Sequence, residues 1–397
     1  MIDKIEACID EHAEQFIQIR QHLHQNPELG FKEYKTTAFI CSFLESLGLQ
    51  PVGVEGRSGV YVDIPGTSPQ IYAYRADIDA LPIQEKTGAP YASKNEGVMH
   101  ACGHDVHTAI ALGIANALVK IGRKPGATIR IIFQPAEELT PGGALEMIER
   151  DVLKGVSSIF AAHVDPGLES GTAGLKEGPL LASADEFDVE VDGKSGHAAY
   201  PHRAIDCISI MNQIISAFYK ISSRQIDPVQ PVVLSITKVH AGNAYNVLPV
   251  SACLSGTIRT FDNDVRKAMP RHMEEIANGI AAAYGATCKL TIHKGSPPLI
   301  NDRSCIETLR SACHKVIGKE NTTELIHPRM GAEDFSNYLQ KVPGAMLRLG
   351  TKCDEKTAWS LHSSHFEIDA KAIATGTKAG AVFLWEIAEQ SRDIKLD

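Results

Sequence analysis

The sequence predicts an α/β protein, a mostly parallel sheet flanked by helices, interrupted by a smaller inserted α+β domain. Three features predict it. Short apolar runs rich in β-branched and aromatic residues alternate with helical stretches through the first part of the chain. From about Asp185 the pattern changes to β-α-β-β-α-β over about 110 residues, the order of a split-βαβ, ferredoxin-like unit. After Pro297-Pro298 the helix and strand alternation resumes. These shifts set the expected boundaries at 1–182 with 297–397 for the larger domain and 183–296 for the insertion.

Taken in order, Ile5 to Leu47 carries apolar residues at helical spacing, broken at Asn26-Pro27, and reads as two helices. The runs GVYVDIPG, IYAYRADID, ATIRIIFQP and SSIFAAHV read as strands, with helices expected over His107 to Ile121 and Gly143 to Arg150. Strands that alternate with helices are covered on both faces and lie largely parallel. In the insertion, DEFDVEVDG alternates polar and apolar residues as a half-buried strand does. A helix near Ala204 to Ser222 follows, then the strands VVLSITKVHAG and ACLSGTIRTF, a helix near Asp264 to Tyr284 and the strand ATCKLTIHKG. The last part reads as a helix from Arg303 to Ile317, the strand GAMLRLG and a helix from Ala370 to Gln390.

Hydrophobic residues at 44% and charged residues at 22% of 397 exclude a disordered, collagen-like or coiled-coil chain. A net charge of −9 without a basic run argues against nucleic acid or an acidic membrane as the main partner and favours small-molecule chemistry. The nine cysteines are scattered, the N-terminal segment lacks an uninterrupted apolar core, and no apolar stretch is long enough to span a bilayer, so a cytoplasmic location is expected.

Sixteen histidines are more than packing requires, and their placement points to a site. In MHACGHDVH, Cys102 and His104 flank Gly103, with His100, Asp105 and His107 beside them. A thiolate and an imidazole this close suit a borderline-soft cation, although Cys-x-His alone also fits buried polar residues. Glu137-Glu138 follow the strand IRIIFQP, where one carboxylate can ligate a metal while the other faces water. His163 ends SSIFAAHV, and Asp77 and Asp79 end YRADID, the two aspartates suited to holding a ligating histidine by its other nitrogen. Ligand sites in open α/β sheets lie at such strand ends. His362 and His365 in LHSSHFEID are further candidates between which spacing does not choose.

These pieces resemble the di-metal aminoacylase and carboxypeptidase-like amidohydrolases, in the branch of auxin-conjugate hydrolases, hippurate hydrolases and N-acetyl-diaminopimelate deacetylases. The matching strings are HLHQNPELGFKE at 22–33, DIDALPIQE at 77–85, MHACGHD at 99–105, FQPAEE at 133–138, GHAAYPH at 196–202, NVLP at 246–249, GTIRTF at 256–261, MGAEDF at 330–335 and LHSSHFEID at 361–369, in family order over nearly the whole chain. The resemblance implies a zinc-peptidase-like catalytic domain with a lid and dimerisation insertion. It implies that Cys102, His104, Glu138, His163 and His362 bind two divalent cations, zinc, manganese, nickel or cobalt, with the Cys102 sulfur shared. Glu137 becomes the general base. His197 reaches the active site to polarise the scissile carbonyl, and in dimeric members comes from the neighbouring subunit. Asn246 and Arg259 bind substrate, the arginine fork pairing with a free carboxylate. Ser364 and His365 depart from the proline and basic residue that the branch has after its histidine ligand.

The expected activity is metal-dependent hydrolysis of the amide bond of an N-acyl amino acid, with a homodimer formed through the insertion. Two other readings fit the residues less fully. One makes Cys102 a nucleophile with His104 as its base, without metal. The other is a catalytically silent conjugate binder, which would have no need of Glu137.

Overall fold

The computed structural model describes residues 1–392 and divides into two compact units. The first comprises Met1–Gly178, Ile300–His327 and Asn337–Asp397 in extent; the second comprises Pro179–Leu299 and Pro328–Ser336.

The first unit opens with α1 (Ile2–Gln25) and α2 (Tyr34–Ser46), separated by the Asn26-Pro27 break. Ile5, Ile9, Phe16, Ile19 and Leu23 make the buried stripe of α1, the spacing of a one-sided helix. Six strands follow: β1 (Val52–Gly53), β2 (Val60–Ile64), β3 (Ser68–Asp77), β4 (Ala127–Gln134), β5 (Val156–Glu169) and β6 (Ala173–Leu175). Between β3 and β4 runs α3 (His104–Lys120), and between β4 and β5 runs α4 (Gly143–Glu149). With the strands Thr322–Glu324 and Gly344–Lys352 they form one sheet, in the order β1, β2, β4, β3, β5, Gly344–Lys352, β6, Thr322–Glu324. β3 is parallel to both β4 and β5, and β5 is parallel to Gly344–Lys352, while β1, β2 and the step from Gly344–Lys352 to β6 are antiparallel. The central strands are buried on both faces, as covered parallel strands must be. α3 is buried from His104 to Leu118 and packs between α1 and the last helix, Lys371–Gln390.

α3 begins three residues before the expected His107. Gly103 takes φ +81°, the left-handed turn that ends the preceding loop, so His104 is already helical. This puts His104 and Asp105 of MHACGHD in the first turn of α3, with Cys102 on the loop just before it.

The second unit is an antiparallel sheet in the order Val232–Ala241, Ser251–Thr260, Asp185–Asp192, Thr287–His293, with α5 (Cys207–Arg224) and α6 (Asn263–Ala283). Strict alternation of burial along Asp185–Asp192 gives the sheet one apolar face, against which α5 and α6 place Phe218, Ile214, Met269 and Met273. Pro328–Ser336 belongs to this unit: Ala182 N–H donates to Arg329 O and Gly331 O, and Arg259 Nη1 donates to Met330 O at 3.1 Å. So short a return carries no apolar period, which is why the sequence leaves it with the larger domain.

Candidate metal centre

Cys102 lies on the loop into α3 and His104 is the first residue of the helix, both buried. A Cβ on Gly103 would sit 2.5 Å from Val164 Cγ2, so glycine lets this loop press against β5. There Cys102 Sγ lies 3.6 Å from His163 Nε2. Glu137 and Glu138 follow β4 through Pro135-Ala136. His362 takes φ +65° and is held by its N–H on Ala101 O at 2.8 Å, which brings its Nε2 to 3.1 Å from Glu138 Oε1. His365 instead stacks on Trp359.

The donor atoms form overlapping groups. Cys102, His104 and His163 lie within 4.8 Å of one another, as do Cys102, Glu138 and His362, and as do His104, Glu137 and Glu138. Cys102 is common to the first two groups.

Hydrogen bonds fix which ring nitrogen faces the cluster. His104 Nδ1 meets Asp79 Oδ1 at 3.1 Å, so its proton sits there and Nε2 presents a lone pair, buried and without a hydrogen bond. His163 Nδ1 donates to Val164 O at 2.8 Å, which leaves Nε2 as acceptor toward Cys102. His107 has the same tautomer but both of its nitrogens are engaged within the protein: its Nε2 accepts from Val164 N–H at 3.0 Å and its Nδ1–H donates to Asp77 Oδ1 at 2.5 Å. Asp79 also accepts from Glu138 N–H at 3.0 Å, so one carboxylate braces two members of the cluster.

Charge accounts for the rest. Burial and the nearby Glu138 carboxylate push the Cys102 thiol up, and contacts with Cys102 and Glu138 push His362 up to about 10. Burial alone would lower His104, but Asp77 and Asp79 raise it well above its usual value. Side chains that draw protons this strongly from one side offer the same negative field to a divalent cation. Three imidazoles, a thiol and a carboxylate, with the buried His104 Nε2 lacking a hydrogen-bond partner, fit such ions.

Around the cluster lies a second layer that the sequence reveals poorly. Arg75, 1% exposed, donates to Asp77 Oδ2 at 2.6 Å and to Gln134 Oε1 at 2.8 Å. Arg20 Nε and His24 Nδ1 meet Asp105 Oδ2 at 2.7 and 2.8 Å, tying the start of α3 to α1. Burial would raise the Asp105 carboxyl, yet Arg20 and His24 hold it well below the usual carboxylate range. Asp77 and Asp105 lie in strings that the sequence marks, and a charged Arg75 inside an apolar strand is a further signal. Arg20 and His24 read as ordinary helix residues.

Residues 73–386 match the model of Peptidase family M20/M25/M40. The chain belongs to that family. Among its relatives, an N-acetyl-L-cysteine deacetylase of Bacillus subtilis (strain 168) is 42% identical over 383 residues, covering 96% of this chain and 88% of its own. An N-acyl-L-amino acid amidohydrolase of Geobacillus stearothermophilus is 43% identical over 300 residues, 75% of this chain and 81% of its own. A solved dinuclear metal-binding peptidase of the M20 family from Bacillus subtilis superposes with a TM-score of 0.83 at 37% identity, covering 96% of this chain and 99% of that one.

In the second unit of this M20 chain, His197 and Asn246 are neighbours on a short ribbon, where Val247 pairs with His197 and Ala198 N–H donates to Asn246 O at 3.0 Å. Both side chains are exposed. His197 Nδ1 accepts from Ala199 N–H at 3.1 Å, which places its proton on Nε2. Arg259 lies in the strand Ser251–Thr260, half-buried.

Proposed function

We propose that this chain hydrolyses the amide bond between a small acyl group and an amino acid, and that Cys102, His104, Glu138, His163 and His362 hold two divalent cations with the Cys102 sulfur shared. Zinc, manganese, nickel and cobalt all suit this donor set. Bound there, such ions supply Lewis acidity at the acyl carbonyl and bring the pKa of water down toward neutrality. Glu137, whose Oε2 lies 3.9 Å from His104 Nε2, takes the proton of the attacking water and returns it to the leaving amine. His197, protonated at Nε2, donates to the oxygen that gains charge. Arg259 pairs with the amino acid's free carboxylate and Asn246 orients the amide. The names of the relatives support N-acyl amino acids as the substrate class. We further assign residues 183–296 as a lid that dimerises the protein, in the cytoplasm, a location with which nine free cysteines agree. Among the described residues no helix is long and apolar enough to cross a membrane.

The observation that carries this reading is the pair of donor groups that meet at Cys102, with His104 and His163 each turned to offer a lone pair. The test is hydrolysis of N-acetyl, N-benzoyl and N-indoleacetyl amino acids by metal-stripped protein, with and without added zinc, manganese, nickel or cobalt. Stripping should abolish turnover and a metal should restore it, whereas turnover untouched by a chelator would move the chemistry to Cys102 as nucleophile. Glu137→Gln should keep its metal and lose about 10²–10⁴-fold in kcat. Near-normal kcat in that variant would remove Glu137 as the base. Light scattering checks the dimer.

A further inference from the structure

The string HLHQNPELGFKE takes no part in the proposed reaction, yet both of its glutamates are committed. Glu28 caps α2: Thr36 N–H and Thr36 Oγ donate to its Oε2 at 2.8 and 3.0 Å. Glu33 occupies the N-cap position of that helix but makes no side-chain cap. Its carboxylate turns inward, fully buried, to two distant segments. Ser58 Oγ donates to Oε2 at 2.7 Å and Ala136 N–H donates to Oε1 at 2.8 Å.

Ala136 is the residue before Glu137. It is fully buried and takes φ +51°, a left-handed conformation that an L-residue adopts only when its surroundings hold it there. Three contacts hold it. Glu33 accepts its N–H, Gly143 N–H donates to its carbonyl at 2.9 Å, and Gly30 lies so close that a Cβ there would stand 3.2 Å from Ala136 Cα. On the far side of Glu137, Asp79 accepts from Glu138 N–H at 3.0 Å. The peptide of Glu137 is thus spanned by two buried carboxylates, one on the N–H before it and one on the N–H after it.

We propose that Glu33 is a positioning residue for catalysis: by accepting the Ala136 N–H it holds the left-handed turn that aims the Glu137 carboxylate. The proposal rests on Glu137 as the general base. It separates Glu33 from Asp79, which also braces His104, and gives the PELGFKE segment a part in the chemistry without contact with substrate or metal.

The experiment measures kcat, KM and bound metal for Glu33→Ala, Glu33→Gln and Glu33→Asp in the metal-loaded enzyme. Loss of aim should lower kcat about 100-fold in Glu33→Ala, the scale of an ångström's misplacement, with KM and metal stoichiometry unchanged. Glu33→Gln keeps an amide oxygen for Ala136 N–H and should recover most of the loss. In a Glu137→Gln background, Glu33→Ala should cost nothing further, because both act through one carboxylate. Should Glu33→Ala fail to fold, Glu33→Asp, whose shorter side chain withdraws from Ala136, must show the same fall in kcat at constant metal content. A kcat near that of the parent, a loss that tracks loss of metal, or an added loss in the Glu137→Gln background each overturns the proposal. Activity in Glu137→Gln alone would overturn the assignment of the base, a separate result.

Discussion

His104 and His197 are assigned to one reaction from opposite settings. His104 is 1% exposed, and Asp79 takes its Nδ1 proton so that Nε2 faces the cluster as a lone pair. His197 stands on an exposed ribbon, and Ala199 N–H takes its Nδ1 lone pair so that Nε2 carries the proton. In the proposed reaction the same imidazole would serve as an acceptor for a cation in one unit and a donor for an oxyanion in the other, chosen by whether its neighbour is a carboxylate or a backbone N–H. The braces differ in depth as well. Those of the larger unit are buried, where an unmade hydrogen bond is costly; those of the inserted unit are wet, where water replaces what is lost.

The largest effect expected from that contrast is at Asp79. Its carboxylate accepts from His104 Nδ1–H with one oxygen and from Glu138 N–H with the other. Asparagine keeps a single acceptor, so one of those bonds must break and leave a buried group unpaired. Asp79→Asn should lower metal affinity or kcat by about 10–100-fold, read by metal titration and steady-state kinetics. If both stay within twofold of the parent, the buried brace does not matter, and the contrast fails at its stronger end.

Arg259 tests the wetter end. Its Nη1 donates to Met330 O, in the segment Pro328–Ser336 that closes back on the same unit. Lysine keeps the charge but loses the planar fork, so Arg259→Lys should raise KM about tenfold with kcat nearly unchanged, the signature of binding shared by ground and transition states. A fall in kcat at constant KM would place Arg259 in the chemical step and erase the division of labour between the two units.

The elements themselves were legible because their signals are local. The stripe Ile5, Ile9, Phe16, Ile19 and Leu23 announces α1, and the alternation of DEFDVEVD announces a one-faced strand. The candidate donors Cys102, His104, Glu138 and His163 stood out because they sit at strand ends or the helix start, where ligand sites of open α/β sheets lie, and because their strings match a family. What stayed hidden depends on contacts between distant residues: Asp105 with Arg20 is 85 positions apart, and Ala136 with Glu33 is 103. No periodicity or spacing encodes such a pair. The left-handed turn at Ala136 is hidden for a related reason, since alanine does not advertise positive φ as glycine does.

The smallest effect concerns the stability cost of one such hidden brace. Burial pushes the Glu33 carboxyl from its usual 4.5 up to about 7; the Ser58 hydroxyl and Ala136 N–H pull it back, and the nearby Asp79 carboxylate adds to the rise. Arg150 donates to the Ser58 and Gly59 carbonyls and pairs with Glu146. A folded-state pKa above the unfolded one means that folding takes up a proton between those values. Stability from this group therefore falls as pH rises from about 4.5 to about 7, and the full cost is present above that. Glutamine has no such titration. The melting temperature of Glu33→Gln relative to the parent should accordingly climb across that window, by roughly 2–4 °C for each kcal/mol recovered. A flat difference across the window would mean that Glu33 is not held against its own charge. A rising one, together with a kcat that Glu33→Ala loses, would mark a carboxylate that costs the fold stability at the pH where the proposed base, Glu137, would act.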